Sequence, residues 1–195
     1  MANTSTTDVD LVGSEMTLNI ARVALFAALM GAFAYVSFPN PLTPTVPVTL
    51  QVLGVFLAAI FLGPVWGGVA MVVYLLAGAL GVPVFSSGSA GLGSFFGATG
   101  GYLLSYPFAA FLAGVAVHGG FRPKTPKAVS PSRLIVGMAI AVPVIYGFGI
   151  PVYWYYLDVT WTTAIINAGV YFVPAEAAKM AAAVGIVYSD RLNTA

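Results

Sequence analysis

Charge is the scarcest feature of this sequence. Of its 195 residues only 7% are Asp, Glu, Lys or Arg and 59% are hydrophobic, whereas an ordinary soluble domain carries about a quarter charged residues. That scarcity excludes a soluble domain and implies an integral membrane protein. The net charge of +1 offers no electrostatic footprint for a nucleic-acid partner. Cysteine is absent, which excludes disulfides and thiolate metal sites and leaves the redox compartment unread. The single histidine, His118, has no acid near it in sequence, so neither a nucleophile–base pair nor a histidine metal site can be assembled. An intramembrane enzyme needs more ionisable groups than these, and no cofactor is expected. Both phosphate-binding glycine signatures are missing too. Phe96 stands where a third glycine should follow Gly91 and Gly93, and none of Lys124, Lys127 or Lys179 follows a glycine. The chain is therefore not expected to hydrolyse ATP by itself, and any energy source must be another protein or an ion gradient.

What the chain does have is long apolar runs. Residues 1–17, with Asp8, Asp10 and Glu15, read as a disordered tail, and residues 18–192 as one domain. Ala32-Phe33-Ala34 resembles a signal-peptide cleavage site, but the long acidic leader is the opposite of a short basic one, so the first run is read as a retained helix. An all-α protein of six transmembrane helices is expected. The first covers Leu18 to Phe38. Pro39, Pro41, Pro44 and Pro47 then force an extended loop, PNPLTPTVPV. Helix 2 covers Val48 to Leu62, and Gly63-Pro64 reverses the chain into helix 3, Val65 to Leu80, with Pro64 at a favoured first position. Helix 4 covers Gly101 to His118 and helix 5 Leu134 to Tyr153, joined by GGFRPKTPKAVSPSR. Helix 6 begins at Pro174, with Glu176 in its first turn and Arg191 past its end, and reaches Tyr188. The segment before it, with Asp158, Thr160, Thr162, Thr163 and Asn167 among aromatics, reads as interfacial or re-entrant.

Alternating helices put Arg22, Arg122, Lys124, Lys127, Arg133 and Arg191 on one side, which is cytoplasmic by the positive-inside rule. Both termini are then inside, in a multi-pass plasma-membrane protein. The Pro-rich loop, the stretch PVFSSGSAGLGSFFGATGGY (residues 83–102) and the aromatic segment all face outside.

That stretch is not a free linker, because Phe85, Phe95, Phe96 and Tyr102 would waste apolar surface in a coil. Its glycines permit close backbone approach, its serines supply neutral hydrogen bonds and its aromatics flat faces, which together suit a pocket wall. A re-entrant loop packed between helices is the competing reading. Glu176 and Lys179 lie three apart on one helical face near the outer surface. They are either a ligand site offering one anion and one cation, or a mutual ion pair anchoring the helix start. Ala24, Ala28 and Ala32 form a small-residue row on helix 1, beside Ala27 and Gly31, suited to a partner helix or to packing within the bundle. His118 reads as an interfacial side chain, and Tyr153, Trp154, Tyr155, Tyr156 and Trp161 as an interface belt first and a ligand cage second.

The sequence resembles the BioY family, the biotin-binding S components of energy-coupling-factor transporters, from about residue 18 to 190. The resemblance rests on VPVTLQVLGVFLAAIFLGP (46–64), VYLLAGALGVPVFSSGSAGLGSFFGATGGYLLSYPFAAFLAG (73–114) and FVPAEAAKMAAA (172–183). It implies six helices and a biotin pocket closed by the first and third outer loops. It places Thr49, Gln51, Gly91, Gly93, Gly100, Gly101, Tyr102 and Lys179 at motif positions; Ala175 and Glu176 stand where the family has glycine and aspartate. A carboxylate is kept with one extra methylene. Tyr74 in the matched block, Phe85 and Ser89 in the glycine stretch, and Asn167 complete the candidate site. The resemblance further implies that the Ala24, Ala28, Ala32 face docks on a transmembrane T component carried by two ATPase subunits, within membrane lipid and with homo-oligomers possible. The mechanism it implies is alternating access. A carrier for another small vitamin is the alternative.

Overall fold

The computed structural model describes residues 13–43 and 45–189; Asp8, Asp10, Pro44 and Arg191 lie outside the described residues. Within them five helical stretches are long and apolar enough to cross a membrane: Glu15–Tyr35, Gln51–Ala79, Gly100–His118, Pro131–Leu157 and Trp161–Tyr188.

Helix α1 (Ser14–Tyr35) starts four residues before the expected Leu18, inside the segment read as tail. Hydropathy falls off at Ser14-Glu15-Met16-Thr17, but backbone hydrogen bonding does not, and Glu15 in the first turn complements the helix dipole. The helix also stops short of Phe38. Strands β1 (Ser37–Phe38) and β2 (Val48–Thr49) pair antiparallel, with Ser37 opposite Thr49 and Phe38 opposite Val48, and clasp the base of the Pro-rich loop. The expectation of an all-α chain is therefore corrected by one two-stranded ribbon, and that of a helix beginning at Val48 by a start at Gln51.

Helix α2 (Gln51–Ala79) is broken at Gly63, whose φ of 76° and ψ of −176° are non-helical and in a region only glycine tolerates well. Pro64 then opens the second arm. The arms fold back on each other: a Cβ at Gly67 would lie 2.9 Å from the Ala58 carbonyl oxygen. The N-terminal arm is the centre of the core, with Val55, Phe56, Ala58 and Ile60 fully buried.

Helix α3 (Gly100–His118) packs closely on the reversal, its Gly114 lying against the Pro64 backbone. His118, the last residue of α3, is buried within the protein. Its Nε2–H donates to the Ala59 carbonyl at 3.1 Å and its Nδ1 accepts the Lys124 amide at 2.9 Å, so a neutral ring pins α3 to α2 and to the following loop. Helix α4 (Pro131–Leu157) outruns the expected Leu134–Tyr153 at both ends, since Pro131 is itself a good first-turn residue. The aromatic segment forms a short helix, α5 (Trp161–Ala168), capped by Thr160, whose hydroxyl accepts the Thr163 amide. A 3₁₀ turn at Val170–Phe172 leads into α6 (Val173–Tyr188), with Pro174 in its opening turn.

On α1 the two small rows part company. Ala27 and Gly31 are buried, while Ala24, Ala28 and Ala32 are exposed, so packing within the bundle does not account for the second row.

Candidate functional site

Segments distant in sequence enclose a cavity of about 510 Å³, within the range of small-molecule sites. The Pro-rich loop contributes Thr45, Val46 and Pro47, strand β2 contributes Thr49, and the glycine-rich stretch contributes Phe85, Ser86, Ser89, Gly93 and Ser94 among others. Helices α2, α3, α4 and α6 supply Gln51, Tyr102, Tyr106, Tyr146, Glu176 and Lys179.

Each wall is fixed by its own local chemistry. Gln51, the first residue of α2, accepts from the Thr49 hydroxyl at 2.9 Å and donates through Nε2 to Tyr74 Oη at 2.8 Å. Tyr74 in turn donates to the Val84 carbonyl at 3.0 Å. This relay ties the ribbon to the start of the glycine-rich stretch. Phe85, next in the chain, is 1% exposed and sits edge-on to both Tyr74 and Phe95, with ring centroids 5.5 Å apart in each pair. It fits only because residue 78 is glycine, where any Cβ would lie inside the ring. Gly91, at φ +83°, donates its amide to the Gly78 carbonyl at 2.7 Å. The stretch is thus a folded wall.

The charged end lies on the first turns of α6. Glu176 and Lys179 are both buried and paired at 2.9 Å through Glu176 Oε1. Tyr146 of α4 donates to the same oxygen at 3.0 Å. The second carboxylate oxygen, Oε2, is buried and has no hydrogen-bond partner among the described residues. Oε1 is doubly satisfied and Oε2 not at all. Glu176 and Lys179 both line the cavity, so a carboxylate and an ammonium stand side by side in its wall.

Of the sequence candidates, Thr49, Gln51, Phe85 and Ser89 line the cavity, as do Gly93, Tyr102, Glu176 and Lys179. Tyr74 and Gly91 stand behind it and hold the wall. Gly100 begins α3, where a Cβ would strike the Phe95 backbone, so it too supports the wall from outside the lining. Asn167 does not line the cavity: α5 turns Ala164 and Ala168 inward, and Asn167 lies half-buried off that face. Sequence reasoning missed Tyr106, Tyr146 and Phe172. For Tyr146 a signal existed, because a tyrosine hydroxyl in mid-span needs a buried partner.

Residues 3–193 match the BioY family. The probable biotin transporter BioY of Bacillus subtilis (strain 168) is 34% identical over 168 residues, covering 84% of this chain and 85% of that protein. The biotin transporter BioY of Rhodobacter capsulatus is 37% identical over 71% of this chain and 70% of its own length. With the probable biotin transporter BioY of Pyrococcus horikoshii identity rises to 43%, over 49% of this chain and only 57% of that protein. In fold the chain is similar to the S-component for biotin from an ECF-type ABC transporter, solved at 2.1 Å, with a TM-score of 0.80 over 94% of this chain and 95% of that one at 23% identity. A match along nearly the whole sequence, joined by a relative above 30% identity over most of both lengths, carries one conclusion: this chain belongs to the BioY family.

Proposed function

We propose that this protein is the biotin-capturing S component of an ECF-type transporter in the plasma membrane. It takes biotin from outside into the cavity between the Pro-rich loop, the glycine-rich stretch and α6. In this reading the chain crosses the membrane six times with both termini inside, the two arms of α2 counting separately and α6 as the last crossing. Arg22, Arg122, Lys124, Lys127 and Arg133 then share the cytoplasmic side.

The observation that carries the reading is the unpartnered Oε2 of Glu176 in a cavity that also presents Lys179. A ureido N–H meets the free carboxylate oxygen, and the bicyclic ring packs among Phe85, Tyr102 and Tyr146. Thr49, Gln51 and Ser89 supply neutral hydrogen bonds around it, and Gly93 leaves room for backbone approach. The sequence holds no phosphate-binding loop, so import is driven by a transmembrane T component on two ATPase subunits. The exposed Ala24, Ala28, Ala32 face, where a partner helix can approach closely, is assigned to that contact.

Thermal unfolding of the purified chain tests the substrate. A ligand that binds only the folded state raises the midpoint, by an amount that grows with the logarithm of its concentration over its Kd. Biotin is expected to raise it at concentrations where other vitamins do not. A larger shift with another vitamin would reassign the substrate while leaving the carrier class intact.

A further inference from the structure

The carboxylate of Glu176 is held by donors from two different helices, Lys179 Nζ from its own α6 and Tyr146 Oη from α4, and both address Oε1. We propose that Tyr146 is a positioning residue for ligand recognition, setting the plane of the Glu176 carboxylate so that Oε2 stays free for the ligand. The inference deepens the proposed function and rests on it.

With Lys179 alone, the carboxylate can rotate about its last bond and close both oxygens onto the ammonium. The acceptor would then be consumed internally. A second donor from a separate helix removes that freedom, provided it is itself fixed. The Tyr146 ring is fixed: it meets the Tyr102 edge at a centroid distance of 5.8 Å and 89°, and lies 6.4 Å from Phe172. Tyr102 is anchored in turn, its hydroxyl donating to the Ala168 carbonyl at 2.6 Å. Helices α3, α4 and α5 thus brace one hydroxyl against one carboxylate oxygen on α6.

Tyr146→Phe keeps the ring and removes only the hydroxyl. Affinity for biotin, measured by titration, is expected to fall about 3- to 10-fold, the scale of one net hydrogen bond. The same substitution in an E176A/K179A background, where no charge is left buried alone, is expected to cost nothing further. A purely structural role would lower affinity equally in both backgrounds. A second readout needs no ligand: the infrared carboxylate stretch of Glu176, identified by its loss in E176Q, is expected to shift in Y146F while the ligand-free melting midpoint holds. An unshifted band, or equal losses in the two backgrounds, overturns the positioning role. If the unsubstituted protein binds no biotin while the band still shifts, the proposed function falls and the local geometry stands.

Discussion

Glu176→Gln isolates the chemistry assigned to the site. Glutamine has the same shape, and its amide oxygen can still accept from Lys179 and Tyr146 at the position of Oε1. What changes is the other end of the group. An NH₂ donor replaces the unpartnered oxygen Oε2, so a ligand N–H would meet a donor instead of an acceptor. A hydrogen bond to a charged group contributes about 1.5–3 kcal/mol. Its loss corresponds to roughly a 10- to 150-fold weaker Kd. Isothermal titration of biotin into the purified variant measures this directly, and ligand-free thermal unfolding checks that the fold is kept. A variant that binds within about twofold of the parent would refute the reasoning, because no other change in the site separates acceptor from donor so cleanly.

Lys179→Met leaves the Glu176 carboxylate buried with Tyr146 as its remaining donor, and breaking a buried pair from one side costs about 3–5 kcal/mol; a lowered melting midpoint without ligand is the expected result. Gly78→Ala puts a methyl where the Phe85 ring lies. Overpacking of that kind costs about 1–3 kcal/mol, and because Phe85 also lines the cavity, biotin affinity measured by titration should fall with stability. Ala28→Trp sits on the exposed face of α1, away from the cavity lining. It should leave biotin affinity unchanged and abolish co-purification with the proposed T component.

The sequence disclosed most where a single residue's covalent geometry decides the outcome. Gly63-Pro64 announced the reversal because only glycine accepts the positive φ there and proline suits a helix start, and Pro174 announced α6 for the same reason. Helix ends were read less well. Ser14 and Leu157 extend their helices past the point where hydropathy fades, since hydrogen bonding continues into polar residues. The ribbon at Ser37–Phe38 and Val48–Thr49 was invisible because two residues are too few to show strand alternation. Within the site, Glu176 and Lys179 were legible as charges in an apolar helix. Tyr146 was legible only as a hydroxyl that needs a buried partner; which partner, 30 positions away, was not. Asn167 shows the complementary limit: a polar residue in an aromatic run stands out in sequence, yet it is not among the residues that line the cavity.

The central claim is that one buried carboxylate oxygen in this cavity accepts a biotin N–H. Equilibrium titration of biotin into the isolated chain, run side by side with Glu176→Gln, tests it most directly. The account predicts saturable one-to-one binding by the parent, weakened at least about tenfold in the variant. Saturable binding that Glu176→Gln leaves untouched, or no saturable binding at all, would contradict it.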